Sequence, residues 1–344
     1  MKRQSDKIQH RKLTAGGSAC FAVIFCCIFL GSFMIGRFPV TPADIFRAVR
    51  YDLFGRGAAP DEVMRMVLYN IRIPRILIAC MVGAALSMAG AAYQGVFQNA
   101  MASPDVLGAS SGAAFGAALA ILLGAGTGLI TFSAFCFSML TVFLSWFISE
   151  HGQGKKVLLL VLSGMMVSSL FNAGVSYLKL AADPNSELQA ITYWLMGSLS
   201  GAKKKDLLIA GIPMLAGAVP LFLFRWQINI LTLGDEEART LGIDAGKIRI
   251  LVILCSTLLT AAAVSVSGTI GWVGLVIPHL CRRIVGNNYR DLMPAVMITG
   301  ASFLLLADDA SRCLFATEIP IGILTAFIGA PFFMFLLTRR GDSV

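Results

Sequence analysis

The chain has 344 residues, of which 57% are hydrophobic and only 14% charged, with a mean hydropathy of +0.77. That balance excludes a water-soluble domain and predicts an all-α polytopic membrane protein, because lipid offers the backbone no hydrogen bonds and long unbroken apolar runs are not barrel strands. The net charge of +9 does not indicate nucleic acid, since the basic residues are scattered over the loops between apolar runs instead of gathered on one face.

In chain order, a basic tail over residues 1–12 carries Lys2, Arg3, Lys7, Arg11 and Lys12. The apolar stretch 13–36 behind it is too long for a signal-peptide core and has no A-x-A site, so it reads as a retained first span. A span needs about 20 apolar residues. Further spans are predicted near 73–98, 105–124, 127–149, 156–180, 206–226, 247–268, 270–284, 292–313 and 319–338. About ten spans thus form one transmembrane domain over 13–344. The eighth is short and broken by Gly271, Gly274 and Pro278, a pattern tolerated where protein surrounds it or water lines it. Glu187 to Ser200 is too short and polar to cross and is placed at the surface after the fifth span.

An even span count puts both termini, including Arg339-Arg340, on the cytoplasmic side. Sixteen of the 28 Lys and Arg then lie inside and twelve outside, a weak positive-inside bias. Seven of the outside residues are arginines between Arg37 and Arg75 and need another explanation. The 34 glycines cluster with Ala and Ser, as in Gly83-Ala-Ala-Leu-Ser-Met-Ala-Gly90, and small residues four apart let helices approach closely in lipid. Arg75-Ile-Leu-Ile-Ala-Cys80 is echoed by Arg249-Ile-Leu-Val-Ile-Leu-Cys255 on a helix of opposite direction, a faint trace of the inverted repeats seen in transporters.

Chemistry-bearing patterns are scarce. There is no phosphate-binding loop, no G-x-S-x-G and no H-E-x-x-H. The eight cysteines contain no C-x-x-C pair, and His10, His151 and His279 are far apart. No catalytic residue, metal site or cofactor is therefore assigned to this chain, and ATP, if used, is hydrolysed by another subunit. His279 reads as a helix-end hydrogen bonder. Asp308, Asp309, Arg312 and Glu318 surround the last outer turn; an intramembrane proton path is one reading, and an interfacial cluster with an i, i+4 pair between Asp308 and Arg312 is the one adopted. The 19 acidic residues are spread thinly except at Asp235, Glu236 and Glu237, followed by Asp244. Gly234 and Gly242 bracket this segment, its carboxylates sit where a helix dipole favours them, and Ala238 with Leu241 offers an apolar face. The loop over about 228–246 thus reads as a short helix shaped to seat in a partner's groove.

Several segments, taken in order and spacing, carry a resemblance: Arg72-Ile-Pro-Arg75, Gly90 through Gln94, Asn99-Ala-Met-Ala-Ser-Pro104 with Leu107-Gly108, Trp194-Leu-Met-Gly-Ser198, Leu233 to Gly242, Gly268 to His279, Ala307-Asp308 with Arg312, and Glu318-Ile-Pro-Ile-Gly322 with Gly329-Ala-Pro331. From about residue 37 onward the chain resembles the FecCD-type permeases of bacterial ABC importers for iron–siderophore, haem and cobalamin (vitamin B12). The resemblance implies a type II ABC importer permease fold and two permease subunits, identical or related, around one pathway. It also implies two cytoplasmic ATPases that carry ATP and Mg, an extracytoplasmic substrate-binding protein, and a place in the bacterial inner membrane.

Carried onto this sequence, Gly234, Asp235, Glu236, Glu237, Ala238, Leu241 and Gly242 would couple to the ATPase, while Arg72, Arg75 and Arg312 would face outward and dock the binding protein. Asn99, Pro104, Gly108, Gly271, Trp272 and Pro278 would line the pathway or its gate. The chain has Asn99-Ala-Met-Ala where the family usually has Asn-Pro-Leu-Ala, and Trp272 in place of the usual Phe. The expected cargo is a ferric siderophore, then haem or cobalamin. The rival class is a proton- or ion-coupled secondary transporter using Asp308, Asp309 or Glu318.

Overall fold

The computed structural model describes residues 15–54, 61–154, 156–314 and 317–338; the basic tail over 1–12 and Arg339-Arg340 lie outside these. A helix occupies each of the ten apolar stretches. With four further helices, α2, α7, α9 and α10, the order among the described residues is α1 (Ala15–Ser32), α2 (Pro42–Phe54), α3 (Glu62–Val96), α4 (Ala109–Leu122), α5 (Thr127–His151), α6 (Lys156–Ala181), α7 (Glu187–Leu195), α8 (Lys204–Leu223), α9 (Arg225–Leu231), α10 (Asp235–Thr240), α11 (Ala245–Ser267), α12 (Val273–Val285), α13 (Tyr289–Cys313) and α14 (Ile321–Thr338). Among the described residues six are long and apolar enough to cross a membrane: α3, α5, α6, α8, α11 and α13. Helices α1, α4 and α14 hold shorter apolar segments, and α12 has 13 residues.

Burial divides the long helices into two sets. The apolar windows of α3, α11 and α13 are 83%, 72% and 61% buried, against 22% for α5 and for α6. The first three form the core and the others wrap it. The reason lies in side-chain size. In lipid, association rests on close packing of small residues, and α3 carries Gly83, Ala85, Ser87, Ala89 and Gly90 on its buried surfaces. A Cβ on Gly83 would stand 2.2 Å from the Gly300 carbonyl oxygen of α13, and one on Gly90 would stand 1.8 Å from that of Gly274 in α12. Only glycine admits a neighbouring backbone that near. The Gly112 and Gly116 positions of α4 meet α5 in the same way, at Phe137 O and Ser133 O.

Helix α2 falls within a segment that the sequence left without an element, and its start is legible afterwards. Thr41 donates through its amide and hydroxyl to the Asp44 carboxylate, at 3.1 and 2.7 Å, and Asp44 N returns a bond to Thr41 Oγ1. That is a capping box, with Pro42 at the first helical position; these bonds hold the Asp44 carboxyl below its usual range. In α3, the residues Val67–Arg72 take a π-helical form. Beyond α3 the chain turns back into the bundle: Val106 O approaches Gly164 of α6, and Gly108, at φ +84°, lies against Ser168 and Thr141.

The breaks in α11–α12, α7 and α14 meet one another. Ser198 N donates to Ser267 O at 2.8 Å, Gly322 N donates to Gly197 O at 3.4 Å, and Thr269 Oγ1 donates to Leu195 O. Breaks in regular backbone are thereby satisfied by one another.

Replacing Gly90 with alanine puts a methyl group inside the α12 backbone, so a loss of about 1–3 kcal/mol is expected, read as a lower melting temperature of the detergent-solubilised protein. Gly126→Ala, where nothing lies within 4 Å, should melt like the parent; equal melting of both variants would refute the packing argument.

Candidate functional site

Helices α3 and α13 run antiparallel, so their polar residues collect at two ends of the bundle. One end holds α2 and α7, the other holds α9 and α10. At the α2 end, six charged groups converge. Arg75 Nε donates to both Asp308 oxygens at 2.9 and 3.2 Å, and its Nη1 to both Glu318 oxygens at 3.2 and 3.0 Å. Arg312 Nε lies 3.2 Å from Asp308 Oδ2, while its other nitrogens reach Ile35 O, Ser32 Oγ and Asp309. Ser32 Oγ donates to Asp309 Oδ1 at 2.6 Å. Arg72 donates to the carbonyls of Phe33 and Phe38. Three guanidinium groups thus balance three carboxylates.

This corrects the expectation that Arg72, Arg75 and Arg312 face outward. They are 3%, 5% and 6% exposed, and Asp308 is 0% exposed. The i, i+4 pairing of Asp308 with Arg312 is present, but buried within the bundle instead of at a water interface. A run of arginines in a loop looks like a docking patch only while the carboxylates that neutralise it, more than 230 residues away in sequence, are out of view.

At the opposite end, α10 forms over Asp235–Thr240. Gly234 and Gly242, at φ +125° and +76°, supply turns that other residues rarely adopt. Glu236 and Glu237 are exposed, and so is Leu241 at 56%. Ala238 is not: its methyl is fully buried against the core, so the expected partner-facing pair reduces to Leu241, and Ala238 anchors the helix from beneath. Arg249 of α11 pairs with Asp235 at 2.6 Å. Asp244 caps α11 by accepting from Lys247 N at 3.1 Å, which holds its carboxyl below the usual range.

Beside α10, Arg282 donates to Gln94 Oε1 and to Tyr289 Oη, the latter at 2.9 Å, and Tyr289 Oη donates to Ala91 O at 2.8 Å. Gln98, at φ +49°, donates to Leu231 O of α9 at 2.9 Å. These groups border a polar cavity of about 570 Å³ that also takes in Asn99, His279 and Arg283. Of the other residues expected along a pathway, Pro104, Gly108 and Pro278 are buried and serve packing: Pro104 abuts Gly274 and Gly108 abuts Ser168. Gly271 and Trp272 are half-buried, with Trp272 at φ +70° and its ring against Gly329.

A surface that sequence reading missed lies on α6. Ser169, Asn172 and Ser176 are exposed along one helical stripe of an otherwise apolar span, and Asp105, also exposed, accepts from Ser110. The Ser169 and Ser176 hydroxyls bond back to Met165 O and Asn172 O of their own helix, which leaves the Asn172 amide as the group that needs water or a partner surface. The signal was present in the 3–4-residue spacing of Ser169, Asn172 and Ser176, but such residues also occur as ordinary packing groups.

A helical bundle with a balanced charge cluster at one end and an acidic exposed helix at the other fits a membrane transport component. The family follows from comparison: residues 22–339 match the model of the FecCD transport family, and the chain belongs to that family of ABC transporter permeases. It is 40% identical over 94% of both chains to the "Molybdate import system permease protein MolB" of Haemophilus influenzae. It is 42% identical to the "Probable iron chelatin transport system permease protein" of Helicobacter pylori, covering 80% of this chain and 83% of that one. Other relatives are hemin and cobalamin permeases. A solved structure described as an inward-facing ABC transporter of metal-chelate type superposes with a TM-score of 0.85 at 36% identity, covering 95% of this chain and 100% of that one. Like its relatives, the chain is a transport component and not an enzyme.

Removing one member of a buried ion pair leaves uncompensated charge. Arg75→Met is expected to destabilise by about 3–5 kcal/mol, seen as loss of the monodisperse peak on heating, with Arg75→Lys recovering part of it. An unchanged melting curve for Arg75→Met would show that the cluster is not structural.

Proposed function

We propose that this chain is one of two permease subunits of an ATP-driven importer that carries a metal chelate inward, a ferric siderophore first, with haem and cobalamin as further candidates. The observation that carries the reading is the exposed polar stripe of Ser169, Asn172 and Ser176. The exposed Asn172 amide has no hydrogen-bond partner among the described residues and is costly against hydrocarbon, and a pathway shared between two copies supplies the water or partner surface it needs. Two cytoplasmic ATPases carrying ATP and Mg grip α10 through Glu236, Glu237 and Leu241, which orients the α10 end toward the cytoplasm of a bacterial cell and the α2 end outward.

An extracytoplasmic binding protein delivers the cargo. With Arg72, Arg75 and Arg312 spent inside the bundle, its acidic groups meet the exposed Arg47, Arg50, Lys203, Lys204 and Lys205 at that end. The similarity to a molybdate permease over nearly the whole chain favours a second reading, in which the cargo is the oxyanion itself. Uptake of labelled ferric siderophore against labelled molybdate, in proteoliposomes holding the permease, its ATPase and binding protein, separates the two.

Reversing Glu236 and Glu237 to Lys should abolish co-purification of the ATPase while the permease still inserts and stays monodisperse. Normal co-purification removes α10 from the coupling role. Asn172→Leu, which takes a polar group off an exposed face, should leave the melting temperature within about 0.5 kcal/mol-equivalent of the parent and cut ATP-driven uptake several-fold. Undiminished uptake would move the pathway elsewhere, and gradient-driven uptake without any ATPase would favour a secondary transporter.

A further inference from the structure

Two concavities on the α5–α11 face run into each other. The first, about 510 Å³, is a groove lined by apolar side chains such as Leu140, Phe143 and Leu254, all of them 42–54% exposed. The second, about 580 Å³, lies beyond its α10 end and is polar; Lys156, Arg239 and Arg249 border it, with Glu150 and Asp235. Trp146, Ile250 and Ile253 belong to both, so the groove opens directly into the polar cavity.

The charges of the polar cavity are not fully spent. Lys156 pairs with Glu150 at 3.2 Å and Arg249 with Asp235 at 2.6 Å, which uses both carboxylates. Arg239 makes no ion pair among the described residues, and the buried Nε of Arg249 has no hydrogen-bond partner. Three cations against two carboxylates leave the cavity's border with a net positive charge, carried by the exposed Arg239, and the groove that adjoins it is apolar. An anion with an attached hydrocarbon chain meets both conditions at once. Free phosphate leaves the groove empty, and a neutral lipid leaves the guanidinium groups unanswered. Trp146 stands where the two regions join, the position aromatic rings take at a membrane interface.

We propose that this crevice binds one anionic phospholipid, with an acyl chain along α5 and α11 and the phosphate on Arg239 and Arg249. Basic pockets between spans on the cytoplasmic side are built for such headgroups, and the inference rests on the proposed orientation of the α10 end in that leaflet. Because Arg249 also holds Asp235, the lipid phosphate sits one side chain away from α10, and the composition of the leaflet biases how firmly that helix is seated.

The test is native mass spectrometry of the delipidated permease–ATPase complex titrated with phosphatidylglycerol or phosphatidylcholine of identical chains. The expected result is that phosphatidylglycerol binds at markedly lower concentration, that Arg239→Gln weakens that preference about fivefold, and that Leu254→Trp, which fills the groove, weakens both lipids alike. Equal binding of the two lipids, or an Arg239→Gln preference equal to the parent's, overturns the proposal. So does displacement by inorganic phosphate with no effect of Leu254→Trp, which leaves a free-anion site only. Arg239 is exposed, so its variant should fold whatever Leu254→Trp does. Binding is read without transport or ATP turnover; retained ATPase co-purification by the Glu236, Glu237 double reversal would sink the coupling reading while the lipid result is decided separately.

Discussion

The structure depends on peptide meeting peptide along α3. Hydrocarbon supplies no hydrophobic drive between helices, so the bundle is held by contact and by small residues that allow it. Gly83 against Gly300 and Gly90 against Gly274 bring α3 to backbone distance from α13 and α12. That closeness is what leaves α3 the most buried long helix, and it fixes where the polar groups can go. Arg75 and Gln94 are 19 residues apart, about 28 Å along the axis, close to the thickness of the hydrocarbon layer. Each anchors one network: Arg75 the charge cluster of α13 and Glu318, Gln94 the bonds to Arg282 and onward to Tyr289.

The two networks differ in electrical character, and the difference bears on mechanism. Charge taken out of water is costly unless it is paired and hydrogen-bonded. The Arg75 cluster meets the demand for pairing with three cations and three carboxylates, in which Asp308 is clamped between two guanidinium groups, while Arg75 Nη2 and Asp309 Oδ2 stay without a hydrogen-bond partner among the described residues. A proton relay needs a carboxylate that can gain and lose charge as access alternates. Asp308 is instead tied to Arg75 and Arg312, and Asp309 to Ser32 and Arg312. The cluster locks α1, α3 and α13 together at one end instead of passing ions through it, which weighs against the ion-coupled class.

Much of this was legible in the chain before any coordinates. Ten apolar stretches became ten helices, and Gly234 and Gly242 marked the limits of α10, because these features follow from local rules: apolar length, and the backbone freedom that only glycine has. The acidic face of α10 was legible for the same reason. What failed was pairing at long range. Nothing near Arg72 or Arg75 in sequence announces Asp308 or Glu318, so arginines that neutralise the core read as arginines on a surface. Ala238 failed differently, since a six-residue helix shows too little periodicity to say which side is inside. Among the residues expected along a pathway, Asn99 borders the polar cavity, whereas Pro104 and Gly108 are buried in packing, because Pro and Gly mark irregular backbone whether or not it lines a passage.

How α10 is mounted decides what moving it can do. It has no core of its own; Ala238 plugs into the bundle beneath it and Asp235 ties it to Arg249 of α11. Its neighbour α9 is bonded on both sides, by Gln98 to Leu231 O and by Asn229 to Tyr289 N, which connects it to α3 and α13. The α9–α10 unit is therefore fastened to the three most buried long helices, α3, α11 and α13. A displacement imposed on α10 by a partner cannot be absorbed at the periphery, because packed interfaces shift as units instead of deforming continuously. On the proposed coupling role, force enters through exposed carboxylates and reaches the core helices first, and the polar stripe on α6 moves only as those helices carry their surroundings with them.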